Sequence, residues 1–314
     1  MTDEYHLTSA EYSARAEWFG QSLATRFYRI IPAWVTWLLV ALALCLVLAT
    51  ATQAQAQTIA FEGSSLILQS EPASASTGNE WPVPDIRNQH HIVLDLTGRH
   101  VTKTLNIINS TDVRVIGGDF DGGGLLTTGI NVDERGLPGV DHGITLSGQT
   151  IHGFTRSGVK ATGVQGLMIS NEDLSAMGSD GIDVSMSNRV YLSANRCHDF
   201  TPQALAHADC IQFDKGTPAN DNVFVAGNTI TGQMQGIFGQ ANNATVIGNT
   251  ISTPFANAIS LTGTGTLNLL MNKVATLPGG VPPTQARITL FGYATVNRQG
   301  NTTAAAGRFP ALAD

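Results

Sequence analysis

The sequence predicts an all-β chain: a right-handed, single-stranded parallel β-helix solenoid preceded by one apolar N-terminal helix. Three observations carry that expectation. A short strand closed by a polar turn returns along the chain at a near-constant interval. Charged residues make up only 13% of the 314 residues while glycine reaches 33, a balance that suits short strands and tight turns better than helices with Lys- and Glu-rich faces. One uncharged run near the N-terminus is long enough to cross a bilayer. The 42% hydrophobic content supplies a substantial core.

In chain order, residues 1–29 form a cytoplasmic leading segment that ends on Arg26 and Arg29. Residues 30–50 carry no charge and read as a signal or signal-anchor helix. The positive-inside rule then puts everything after this run outside the cytoplasm. Ala54-Gln55-Ala56 has the small-residue spacing of a signal-peptidase site, so cleavage and retention as an anchor both stay open. The expected location is exported: periplasmic, secreted, or held at a membrane through residues 30–50 alone. Residues 51–80 read as a linker and N-terminal cap, 81–305 as the β-helix and 306–314 as a tail. A net charge of −7 with no basic cluster excludes nucleic acid as a partner.

The repeat is clearest in VFVAGNTI (223–230), TVIGNTI (245–251), VYLSANRC (190–197), LMISNEDL (167–174) and LNLLMNKV (267–274). Equivalent positions fall at 118, 149, 171, 195, 228, 249, 272 and 301, and the shortest intervals, 21 to 24 residues, set the coil length. That period, without a helix in the unit, excludes leucine-rich, ankyrin and TPR arrays. Apolar residues alternate within each copy, which is strand periodicity. Asn171, Asn195, Asn228, Asn249 and Asn272 are expected to stack at one bend and bond coil to coil, a structural role.

A second strand recurs as SGVKA (157–161), DGIDV (180–184), DCIQF (209–213), QGIFG (235–239) and NAISL (257–261). Val159, Ile182, Ile211, Ile237 and Ile259 form its inward column. Lys160, Asp183, Gln212, Phe238 and Ser260 therefore face solvent. A further polar column, Ser157, Asp180, Asp209, Gln235 and Asn257, precedes the strand, with its direction left open by the bend. Coils about 4.8 Å apart make Asp180 and Asp209 neighbours, with Asp183, Gln212 and Lys160 beside them and His207 at the rim. Acids so placed raise one another's pKa values and share acid and base roles, or trap a cation. The candidate catalytic residues are thus Asp180, Asp209, His207, Lys160 and Lys215, with Gln212, Gln235 and Phe238 binding substrate. Asp180, Asp183 and Asp209 are the candidate ligands of calcium, the one cofactor the pattern suggests; no zinc-type spacing appears. Extra residues at 201–206 and 214–220 would wall a groove, with Asp214 or Lys215 reaching in. His90, His91, His142, His152 and His198 carry no assigned role.

These motifs resemble the pectin-lyase-like superfamily of right-handed β-helices over about residues 80–305. VIGGDFDGG (115–123) is similar to its opening coil, and SDGIDV (179–184) with HADCIQF (207–213) resembles the paired aspartate motifs of polygalacturonase-type hydrolases. The resemblance implies inverting hydrolysis with Asp180 and Asp209 in catalytic positions. The general-acid position is held by Ala208, the family's histidine position by Gln235, and its downstream Arg-Ile-Lys by Arg287-Ile288-Thr289. His207 to Gln212 and Gln235 to Phe238 also resemble signatures of bacterial right-handed β-helix repeat proteins.

The expected activity is cleavage or modification of a polysaccharide lying across coils 157–240. In a hydrolase, Asp180 or Asp209 activates water and His207 replaces the missing acid. In a lyase or epimerase, favoured slightly because of Ala208, a cation neutralises a uronate carboxylate while Lys160, Lys215 or His207 takes the C5 proton. The rival is an inactive glycan-binding or envelope-scaffold β-helix, for which Phe238 and Tyr191 are the outward rings. Cys197 and Cys210 are the one pair an oxidising compartment could join, yet Cys197 occupies a position filled by Ile in neighbouring repeats. A buried, unpaired thiol is therefore expected there.

Overall fold

The computed structural model describes residues 66–68, 83–203, 207–232, 234–278 and 285–304. The expected leading segment, the apolar helix at 30–50, the cleavage site and the tail lie outside the described residues. Among the described residues no helix is long and apolar enough to cross a membrane.

Three parallel sheets of ten, nine and nine strands make up the described chain. Each coil gives one strand to each sheet in turn. Ser157–Thr162 lies in the third sheet, Gln165–Ser170 in the first and Asp173–Ser175 in the second; Ile182–Ser185 then returns to the third. The first sheet starts at Leu66–Leu68, which pairs with Ile92–Leu94 inside the segment expected to be linker and cap.

Alternation puts every second side chain of a strand inward, and register stacks these into columns. Val159, Ile182, Ile211, Ile237 and Ile259 align in the third sheet, and Leu146, Ile169, Leu192, Val225, Val246 and Leu269 in the first. All of these side chains are fully buried. Burying each is worth roughly 1.5–3 kcal/mol, so the core is a continuous apolar rod.

The bend between the first and second sheets carries the expected side-chain ladder with one correction. Backbone N–H groups of Asn195, Asn228, Asn249 and Asn272 donate to the side-chain oxygens of Asn228, Asn249, Asn272 and Asn301 on the following coil. Each of those amides donates in turn to the carbonyl three residues before the N–H it accepts: Asn228 to Leu192, Asn249 to Val225, Asn272 to Val246, Asn301 to Leu269. Asn171 is not a rung. It takes φ +58°, the place that Gly148, Gly227 and Gly248 hold on other coils, and Glu172 fills the rung. Asn tolerates the left-handed region better than most residues, which is why it stands one position earlier there.

The cysteine expectation is also corrected. Cys197 does sit in the inward column between Leu174 and Ile230. It is nevertheless joined to Cys210, with 5.8 Å between the Cα atoms. Cys210 occupies the small-residue column that opens the third-sheet strands. A Cβ built on Gly181, its counterpart one coil earlier, would lie 3.1 Å from Cys197 Sγ. The column therefore faces inward onto the second sheet, and that proximity permits the bridge.

Candidate active site

The third sheet gathers Lys160, Asp183, Gln212 and Phe238 in its outward column. Register sets Lys160 beside Asp183, Asp183 beside Gln212, and Gln212 beside Phe238. The preceding polar column, whose direction the sequence left open, turns into the bend. Ser157, Asp180, Asp209 and Gln235 are all buried there.

Each member of that column has a distinct environment. Asp180 braces the turn: its Oδ1 accepts the Asp209 N–H at 3.0 Å and its Oδ2 the Ser179 hydroxyl at 3.1 Å. Asp209 has a fully buried side chain, and its Oδ2 lies 2.9 Å from Nδ1 of His207, whose ring is half exposed. The other ring nitrogen of His207, Nε2, meets the side-chain amide of Gln235. An amide N–H there fixes the tautomer: Nδ1–H donates to Asp209, and Nε2 presents a lone pair. The His207 ring also packs on Phe238 at 4.7 Å between centroids.

Asp183 is buried on the outward column. Lys160 Nζ stands 3.9 Å from its Oδ2, and the nearby carboxyl of Asp214 disfavours a negative charge on it. Gln212 holds Asp214 in place through Nε2 to Oδ1 at 2.6 Å. Asp214 lies just past the strand Asp209–Phe213. The sequence named it only as able to reach in, because its approach depends on the path of the longest coil. Lys215 is exposed and makes no hydrogen bond or ion pair with the described residues. Of the expected walls, residues 204–206 lie outside the described chain.

These environments shift the titrations. Burial, then the charge of Asp209, pushes Asp180 up to about 6. Burial, then Asp214, pushes Asp183 up to about 7 against the pull of Lys160. Burial raises Asp209 despite its bond to His207, and that same bond raises His207 above its usual value. Three buried acceptor atoms of the cluster, Asp183 Oδ1, Asp209 Oδ1 and Gln235 Oε1, have no hydrogen-bond donor. Unmet buried polar atoms cost about 1–3 kcal/mol each unless a bound water, a protonated acid or a ligand supplies the missing partner.

Calcium does not fit this arrangement. Both Asp180 oxygens are engaged and Asp209 is turned to His207. Among the described residues no group of three or more His, Cys, Asp or Glu side chains is placed to hold a metal ion. Among the described residues Asp180, Asp183 and Asp209 are thus not one ligand set.

A family model described as the right handed beta helix region matches residues 106–274, more than half of the chain. No curated protein and no solved structure matches it.

Proposed function

For a chain that belongs to the right-handed beta helix family, we propose an exported enzyme that hydrolyses a polysaccharide lying along the third sheet from Lys160 to Gln235. The observation that carries the reading is His207, half exposed and backed by the buried Asp209, at the entry of the strand whose Gln212 lies beside Asp183, a carboxyl that burial pushes up to about 7. A base and an acid with matched protonation states are what glycosidic cleavage needs.

In the proposed reaction the Gln235 amide turns from His207 Nε2 to a sugar hydroxyl as substrate binds, and the freed Nε2 takes a proton from water as the water oxygen bonds to the anomeric carbon. The glycosidic C–O bond breaks, and the leaving oxygen takes the proton of Asp183. Asp209 holds the imidazole and steadies its positive charge. Phe238 stacks on a sugar ring, Gln212 and Gln235 bond hydroxyls, and Asp180 braces the turn. The four carboxyls of Asp180, Asp183, Asp209 and Asp214 outnumber Lys160, so the face suits a neutral or amino sugar better than a uronate. Without a ligand set for calcium, the cation-assisted lyase loses its charge neutralisation. The Cys197–Cys210 disulfide supports the exported location, because such bonds persist in oxidising compartments.

One observation favours the inactive, glycan-binding alternative. Met168, Tyr191 and Phe224 align on the outside of the first sheet, all exposed, with the two rings 6.1 Å apart. Sugar rings stack on such a column without chemistry.

The test is incubation of the full-length protein with neutral, amino-sugar and uronic-acid polysaccharides, following both reducing ends and unsaturated uronate. Reducing ends without unsaturated product are expected. Calcium-dependent unsaturated product would restore the lyase, and binding without cleavage of any substrate would favour the alternative.

A further inference from the structure

Two carboxylic acids stand where the fold elsewhere uses amides. At the bend between the first and second sheets, each rung accepts the N–H of one residue on the preceding coil and donates to the carbonyl three residues before it. Gln149 follows the donating half of the pattern, with Nε2 on the Val115 carbonyl at 3.1 Å. Glu172 is the next rung. Its Oε2 accepts the Gln149 N–H at 2.9 Å, and its Oε1 is buried with no donor in reach. The pattern puts the Leu146 carbonyl opposite Oε1, since Leu146 is aligned with Ile169, whose carbonyl receives the amide of Asn195 on the next coil. A carboxylate would set oxygen against oxygen there; a protonated acid donates, as an amide does.

The bend between the third and first sheets repeats the substitution. Asn220 accepts the Ser187 N–H at 3.1 Å and donates to the Val184 carbonyl, again three residues earlier. Glu134, fully buried, accepts the Ser110 N–H at 2.8 Å through Oε2 and leaves Oε1 without a donor. The equivalent carbonyl is that of Ile107, in the column Ile107, Val132, Ala161, Val184.

We infer that Glu172 and Glu134 are built in as neutral carboxylic acids that stand in for amides in two coil-to-coil ladders, making the β-helix more stable in acid than in alkali. The groups around them do not offset a charge. Glu172 lies between the rungs Gln149 and Asn195, neither of which ionises. Glu134 faces Asp133, itself paired with Arg135 at 2.6 Å, and His142, whose Nε2 is 3.8 Å from Oε2. His142 accepts the Gln165 N–H on Nδ1 and donates from Nε2 to the Leu137 carbonyl, so it is neutral. Burial raises both acids, Glu134 to about 7 and Glu172 well above the usual range. The folded pKa lies above the unfolded one, so the stabilisation is full below about pH 4. It is lost as pH rises towards the folded values.

Thermal unfolding of the full-length protein between about pH 4 and pH 8 tests this. Wild type is expected to lose Tm as pH rises. E172Q should match it at the acid end and exceed it at the alkaline end by roughly 3 °C or more, with a shallower slope; E134Q should behave alike. Asn249→Asp, placing an acid in an amide rung, should be tolerated in acid and destabilising in alkali. An infrared band of protonated carboxylic acid at neutral pH should weaken in E172Q. Equal slopes in wild type and E172Q, or an N249D loss that is the same at both ends, would overturn the inference. Neither outcome depends on whether the protein cleaves a glycan.

Discussion

The bend lined by Asn195, Asn228, Asn249 and Asn272 and the start of the third-sheet strands at Asp180, Asp209 and Gln235 solve one problem with opposite results. In both, a buried polar side chain accepts a backbone N–H from the adjoining coil. The asparagines close their accounts, since each amide also donates to a carbonyl. The acidic stretch leaves Asp183 Oδ1, Asp209 Oδ1 and Gln235 Oε1 unmet and adds a half-exposed histidine. The rule met by these asparagine rungs is broken at Asp183, Asp209 and Gln235 on three neighbouring coils, around a half-exposed histidine, as expected of a functional site.

The sharpest way to break this contrast is at His207. His207→Ala should cut glycan cleavage per folded molecule by about 10²–10⁴-fold, and by removing the partner of the buried Asp209 Oδ2 it should also cost roughly 1–3 kcal/mol in urea unfolding. Asn249→Ala should touch stability alone. It strands the Asn228 N–H and the Val225 carbonyl, at roughly 1–3 kcal/mol for each buried group left unpaired, and denaturant unfolding should show that loss with activity per folded molecule unchanged. Replacing Cys197 and Cys210 by Ser should cost about 3 kcal/mol, the value for closing a loop of roughly this length; a change much smaller than that would mean the core around Leu174 and Ile230 holds the second sheet without the bridge.

The smallest effect is on the pH profile. His207 must be neutral to act as base and is raised above its ordinary value, so activity should rise only as pH passes that raised value. Asp183 must keep its proton, so activity should fall above about 7. The result is a narrow bell near neutrality. Asp214→Asn removes the acid that helps hold Asp183 protonated, so the alkaline limb should move to lower pH. An unmoved limb would separate Asp183 from the proton-donating step.

The inward columns and most of the ladder were legible because each repeats once per coil and the periods of two and about 22 residues reinforce each other. Asn171 misled because asparagine serves both as a rung and as a residue at positive φ. The three-residue strands of the second sheet, such as Thr229–Thr231, hid at the tail of the first-sheet motif. Register alone put Lys160, Asp183, Gln212 and Phe238 in one column and Asp180 next to Asp209. The Asp183–Asp214 contact and the disulfide were not legible, because both depend on how the coil between Asn195 and Asn228 closes in space, which no local pattern encodes.

The most direct measurement on the central claim is an NMR titration of the His207 ring nitrogens in the full-length protein and in Asp209→Asn. The account predicts a neutral form protonated on Nδ1 with a titration above the usual histidine value, falling when Asp209 is neutralised. A His207 that titrates as a free imidazole, indifferent to Asp209→Asn, would contradict it.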